Sequence, residues 1–244
     1  MEAKTKLLFQ EDSYLREFEA VVTRIDRERN AVFLDQTAFH PRPAGGLDSD
    51  KGYIVLPGGG EVKVVDTILL EGDVAHIVES LESIGVGMRV RGVIDWNRRY
   101  RIMRLHTASH ILAAILYKRY NARVTGGHIA PDVARDDFEI EASDWKKALR
   151  EAFEETMNIS RKCIDVKVYW MEREEALRVP GIVKLAEKLP PEVARLRIVE
   201  IPGVDIQADG GPHVKNTCEI GELELIKMES KGRRRKRIYY RTRD

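Results

Sequence analysis

The chain has 244 residues, 43% of them hydrophobic, with 41 basic against 40 acidic side chains and a formal net charge of +1. That length buries a substantial core in one large domain or two smaller ones, and the near-cancelling charge excludes a generic polyanion binder, so any nucleic-acid affinity must be local. Only two cysteines occur, no apolar run reaches the roughly 18 to 20 residues that span a bilayer, and the N-terminus lacks the apolar core of a secretion signal, so a soluble cytoplasmic protein without a membrane partner is expected.

The first hundred residues read as strands and turns. Glu19 to Ile25, Ala31 to Leu34, Gly52 to Leu56, Val62 to Leu70, Val74 to Val78 and Arg89 to Ile94 are β-branched or alternating runs separated by Gly, Asp, Asn and Pro. A small β-barrel or sandwich is the simplest packing. Pro57-Gly-Gly-Gly60 lies between two of these strands and is expected to be a hairpin turn, because a phosphate loop would need a helix opening directly behind it. The texture changes near Asp95-Trp-Asn-Arg-Arg99. From there Leu105, Ala108, Leu112, Ile115 and Leu116 repeat at helical spacing, and a domain boundary is placed between residues 97 and 98.

A second amphipathic helix is marked by Trp145, Leu149, Ala152, Phe153 and Met157, with Ser143-Asp144 as its N-cap. Strands follow at Asp165 to Met171 and Arg195 to Ile201. Between them, Glu172 to Arg178 and Gly181 to Leu189 read as short helices divided by Val179-Pro180. Glu222 to Met228 and Arg237 to Arg241 form a terminal hairpin, and the alternation of strand pairs with helices predicts a two-layer α+β domain over residues 98–244.

Two short-spaced pairs carry chemistry. His106 and His110 fall one turn apart on a helical stripe next to the apolar one, and Asp209 and His213 bracket Gly210-Gly-Pro212, whose backbone can bend tightly. Together they make a four-coordinate donor set of the kind Zn2+ takes, with Asp209 standing where a thiolate would be usual. His40 and His128, in Gly/Pro-rich loops, and His76, in a strand, are expected to be structural or solvated. Two basic stretches are candidate phosphate contacts: Arg98, Arg99, Arg101 and Arg104, and the run Lys231 to Arg237 with Arg233, Arg234 and Arg235 at its centre. A solvated surface is the alternative for each.

His106-Thr-Ala-Ser-His110 combined with Gly210-Gly-Pro-His-Val-Lys-Asn-Thr-Cys-Glu-Ile-Gly221 resembles the editing domain of alanyl-tRNA synthetases and their free-standing AlaX relatives. Gly210-Gly-Pro-His-Val214 also resembles the editing domain of bacterial-type threonyl-tRNA synthetases. Arg135-Asp-Asp-Phe138, Val179-Pro-Gly181 and the terminal basic run extend the match. Phe39-His-Pro41 and Gly45-Gly46 through Asp50-Lys-Gly52 resemble the glycine-rich motif of the synthetase-related barrel, which makes the chain similar to the medium-length class. The family usually has Cys at the place of Asp209, and its motif commonly reads Gly-Gly-Gly-Gln-Pro where this chain has Ala44-Gly-Gly-Leu-Asp48. Cys218, five residues past His213, is the alternative fourth ligand.

The resemblance implies an α+β protein, a small N-terminal β-barrel followed by a two-layer editing domain. It implies a zinc-dependent hydrolase that removes serine, or glycine, from mischarged alanine tRNA, with Thr125 of Val124-Thr-Gly-Gly127 contacting the serine hydroxyl and Gly45 and Gly46 facing the tRNA. A second site is needed because a hydrophobic alanine pocket rejects an added hydroxyl only weakly. Zinc would either activate the attacking water or hold the substrate amino group while a second water attacks. A tRNA-binding module with a structural zinc is the competing reading. An unrelated zinc hydrolase is weaker, since no His-Glu-x-x-His supplies a helix-borne base.

Overall fold

A computed structural model describes residues 4–182 and 193–243. The chain divides into two compact units, Met1–Tyr100 and Arg101–Asp244. The first contains β1 (Lys6–Leu7), β2 (Glu17–Asp26), β3 (Ala31–Leu34), β4 (Gln36–Thr37), β5 (Gly52–Val55), β6 (Glu61–Leu70), β7 (Asp73–Val78) and β8 (Arg89–Ile94). Six of these strands close a barrel in the order β2-β3-β7-β6-β5-β8, so the sheet has no free edge. Alternation decides what faces inward: along β2, Phe18, Ala20 and Val22 are buried while Glu17 and Glu19 are exposed. They join Val32, Leu34, Phe39, Ile54, Val64, Val78 and Val90 in one core. Val55 pairs with Glu61, which makes Pro57-Gly-Gly-Gly60 the expected hairpin turn.

The glycine-rich segment 38–50 is irregular but tied down. Ala44 O accepts from Leu47 N, and Gly45 and Gly46 between them both have positive φ, 60° and 78°, a combination that favours glycine in a tight turn. Gly52 lies so close to β8 that an added Cβ would sit 2.0 Å from Val93 O.

His76 is fully buried in β7, with Nδ1 donating to Val32 O at 2.9 Å and Nε2 2.8 Å from Thr37 Oγ1. Burial depresses its pKa from 6.5 to about 4, so the unfolded chain takes up a proton below pH 6.5 that the folded barrel does not. The histidine's contribution to stability is therefore complete above pH 6.5 and is lost as the pH falls towards 4, by about 3 kcal/mol. Measured by denaturant titration, the unfolding free energy of wild type should fall between pH 7 and 4 by about that amount more than the unfolding free energy of His76→Gln. Parallel curves would show that His76 does not titrate in this way.

The second unit carries most of α1 (Trp96–Tyr120), then β9 (Arg123–Ile129), β10 (Ala134–Glu139), α2 (Trp145–Ser160), β11 (Lys167–Glu172), α3 (Arg173–Ala176), β12 (Arg195–Ile201), β13 (Asp205–Ala208), β14 (Leu223–Ser230) and β15 (Arg235–Thr242). Its strands make two antiparallel sheets, β14-β15-β10-β9 and β11-β12-β13. The terminal hairpin is β14 and β15, and α2 begins at Asp144, whose side chain accepts from Lys147 N. The expected helix after residue 172 is α3; the one over Gly181–Leu189 falls largely outside the described residues. Helix α1 is not amphipathic as the apolar stripe implied, because from Leu105 to Leu116 every residue but Ser109 is buried. Its polar side chains face both sheets: Ser109 meets Asp136 of β10, and His110 meets Asp205 of β13. Among the described residues no helix is long and apolar enough to cross a membrane.

Candidate metal centre

Helix α1 presents His106 and His110 from successive turns, and the turn after β13 presents Asp209 and His213. One donor atom from each lies within 4.8 Å of the others, three of the residues being buried and Asp209 nearly so. The His106 and His213 rings stack with centroids 4.0 Å apart, and His110 stands edge-on to both at 4.9 and 4.5 Å.

The hydrogen-bond network assigns the tautomers. His106 Nδ1 lies 3.2 Å from Pro212 O, and a carbonyl can only accept. His110 Nδ1 lies 3.0 Å from Asp205 Oδ2, again an acceptor. His213 Nδ1 lies 3.0 Å from Thr107 Oγ1, whose proton is already donated to Met103 O, so the imidazole is the donor there too. Each Nδ1 thus carries a proton directed outward, so in the neutral ring it is Nε2 that offers the lone pair. Asp209 is directed at the same point, with Oδ1 3.2 Å from His213 Nε2 and Oδ2 3.8 Å from His106 Nε2. Burial would raise its pKa, but the three histidines hold it well below the ordinary carboxylate value. His213 is pushed well below the usual imidazole value by burial and by its two neighbours. Asp209 held ionised and His213 held neutral, converging with His106 and His110 in a buried space, favour the protonation states a divalent cation requires of its ligands. The donor set fits zinc.

The turn that carries Asp209 is organised from β12. Buried Arg197 donates through Nη1 to Asp209 O at 3.0 Å and Gly211 O at 2.9 Å, and Gly211 N donates to Asp209 Oδ1 at 2.8 Å. Beyond His213, Asn216 and Glu219 form a capping box that starts a short 3-10 turn. Cys218 in that turn is bonded to Cys163, so it cannot replace Asp209 as a ligand.

Thr125 lies in β9 at a bulge. Gly126 pairs with Asp137 and Val124 with Phe138, which leaves Thr125 as the extra residue. Its buried Oγ1 has no hydrogen-bond partner among the described residues. Across from Gly127, the buried Asp136 carboxylate accepts from Tyr240 Oη at 2.7 Å. An added Cβ on Gly127 would come 3.2 Å from Asp136 Oδ1. Sequence reasoning missed Asp136, Arg197, Thr107 and Asp205. The last could have been found, since the strand alternation of Asp205-Ile-Gln-Ala208 runs straight into Asp209.

The expected phosphate contacts divide. Arg233, Arg234 and Arg235 are exposed at the β14–β15 tip, where Lys236 Nζ donates to Ser230 Oγ, Gly232 O and Arg233 O and shapes the turn. Arg234 pairs with Glu139 and Glu141. Arg101 pairs with Asp132, and Arg104 donates to Ile220 O. Arg99 corrects the sequence reading, because it is fully buried and ion-paired with Asp50, with its other donors on Ser13 O and Ala38 O. Arg98 binds Ser49 O and Asp48. Both arginines hold the glycine-rich segment. Of the other histidines, His40 is buried against Phe9, while His128 is exposed.

A family model described as the threonyl and alanyl tRNA synthetase second additional domain matches residues 196–239, which include Asp209 and His213. The alanine–tRNA ligase of Archaeoglobus fulgidus is 36% identical over 233 residues, covering 93% of this chain but 24% of the ligase. The alanyl-tRNA editing protein AlaX-M of Methanosarcina acetivorans is 38% identical over 97% of this chain and 98% of its own length. That of Saccharolobus solfataricus is 52% identical over 237 residues, 97% of this chain and 98% of its own. End-to-end identity at that level, spanning barrel and metal centre alike, shows that the chain belongs to the AlaX-M family of alanyl-tRNA editing proteins.

Proposed function

We propose that the protein hydrolyses the ester joining serine, or glycine, to the 3′-terminal adenosine of mischarged alanine tRNA, at a zinc ion held by His106, His110, Asp209 and His213. The observation that carries this is the quartet itself, three imidazoles whose Nδ1 atoms are each engaged outward and one carboxylate, with one donor atom of each residue within 4.8 Å of the others. When bound there, zinc supplies a Lewis acid that polarises the group it holds. The chain's own residues do the sorting and positioning. Thr125 offers a buried hydroxyl with no partner among the described residues, which the hydroxyl of a seryl group would satisfy and an alanyl group would leave unpaired. The exposed Arg233, Arg234 and Arg235 are the proposed phosphate contacts, with the Gly45-Gly46 turn as a further tRNA contact; Arg98 and Arg99 position that turn instead.

A second reading has an observation of its own. Four protein ligands make a closed centre, as structural zinc sites do, and that favours a tRNA-binding module without turnover. Zinc content measured beside deacylation of seryl-, glycyl- and alanyl-tRNA separates the two: zinc with seryl turnover supports the hydrolase, and zinc without turnover supports the module. Thr125→Val tests the sorting step. It should lower deacylation of seryl-tRNA about tenfold to a hundredfold while glycyl-tRNA changes little, the loss expected when one hydrogen bond to substrate is removed. Equal losses on both substrates would remove Thr125 from the specificity argument.

A further inference from the structure

The three imidazoles of the centre donate outward to acceptors of different kinds. His106 meets a backbone carbonyl and His213 a hydroxyl, but His110 meets the carboxylate of Asp205 at 3.0 Å. The Asp205 side chain is 0% exposed, and a carboxylate so far from water is costly unless it is compensated by charge and hydrogen bonds. Asp205 opens β13 and Asp209 directly follows it; at the two-residue period of a strand, one short segment delivers both carboxylates to the same face.

Charge makes the arrangement purposeful. Three neutral imidazoles and one carboxylate leave a bound divalent cation with one uncompensated positive charge in a buried site. We propose that Asp205 is the second carboxylate of this centre, a positioning residue that acts through His110 by locking its Nδ1–H tautomer and ring orientation and by cancelling the residual charge. The inference rests on the reading of the quartet as a zinc centre. Asp205 touches neither the ion nor the substrate, and its effect is on metal affinity and ligand geometry. A residue that merely fastened β13 would affect stability with and without metal alike.

The test compares wild type, Asp205→Asn and Asp205→Ala in the full chain. Zinc affinity is measured by chelator competition, melting temperature with zinc and with excess chelator, and the visible absorption of the cobalt-substituted protein. Alanine should weaken zinc binding about 10- to 100-fold, the usual effect of removing such an outer partner, and should alter the cobalt spectrum as His110 loses its fixed orientation. Asparagine keeps an oxygen to accept the Nδ1 proton and loses only the charge, so it should fall between the two. Circular dichroism selects folded samples, and asparagine serves if alanine does not fold. Unchanged zinc affinity in both folded variants overturns the proposal while the zinc centre stands. A wild-type protein that binds no zinc overturns the zinc reading itself, and this inference with it.

Discussion

Replacing His106 and His110 together with alanine should abolish zinc binding and lower single-turnover deacylation of seryl-tRNA by about a thousandfold or more, the loss expected when several kcal/mol of charge stabilisation is withdrawn. Both residues are only 4% exposed and come from one helix, so the double variant removes half the donor set and, from the turn that holds Asp209 and His213, only the hydrogen bond of His106 Nδ1 to Pro212 O. Two consequences distinguish loss of the centre from loss of the fold. The carboxyl of Asp209 loses the strongest of the influences holding its pKa down, that of His106, and its pKa should rise. The two β-sheets should persist, because their ladders do not involve either histidine. Metal analysis and deacylation on the same folded preparation decide the matter. Wild-type turnover in the metal-free double variant would end the zinc-dependent reading.

What the sequence made legible follows the range of the interactions involved. The barrel strands could be read because each is an alternating or β-branched run bounded by turn residues; β2 alternates between core and solvent, and β3 over Ala31–Leu34 is buried throughout, as its apolar block implied. The ligand quartet could be read because both pairs are local, four residues apart on a helix or across a turn. β9 and β10 were not legible: Val124-Thr-Gly-Gly127 and Arg135-Asp-Asp-Phe138 lack the apolar alternation of a strand, since Asp136 and Asp137 are both buried through specific partners, Tyr240 and Arg237. The alternation into Asp209 marks Asp205 as facing the same side, but its pairing with His110, 95 residues earlier, has no local signal, and neither does the Cys163–Cys218 pairing across 55 residues. Arg99 was misread for the same reason. A run of arginines beside a helix start ordinarily faces water, and nothing local marks one of them as the partner of Asp50, 49 residues before it.

That misreading leads to the other large effect. Arg99→Ala should destabilise the barrel unit by about 3 to 5 kcal/mol, because it strands the Asp50 carboxylate, 1% exposed, without its counter-charge. Asp50 holds more than the arginine: it accepts from His40 N, and its carbonyl accepts from Thr67 Oγ1 at 3.0 Å. Arg99 meanwhile donates to Ala38 O and Ser13 O. Cutting the pair therefore loosens both ends of segment 38–50, and the Gly45-Gly46 turn with it. Hydrogen exchange should show faster exchange at Leu47 N and Asp50 N, which now donate to Ala44 O and His40 O, and reduced protection along β2 and β8. The double variant Arg99→Met with Asp50→Leu supplies the decisive comparison, since replacing a buried ion pair with apolar groups is often neutral or stabilising. It should recover most of the lost stability while leaving the glycine turn unanchored. If the single variant melts like wild type, the pair is not what holds the segment, and Arg99 returns to the candidates for tRNA contact.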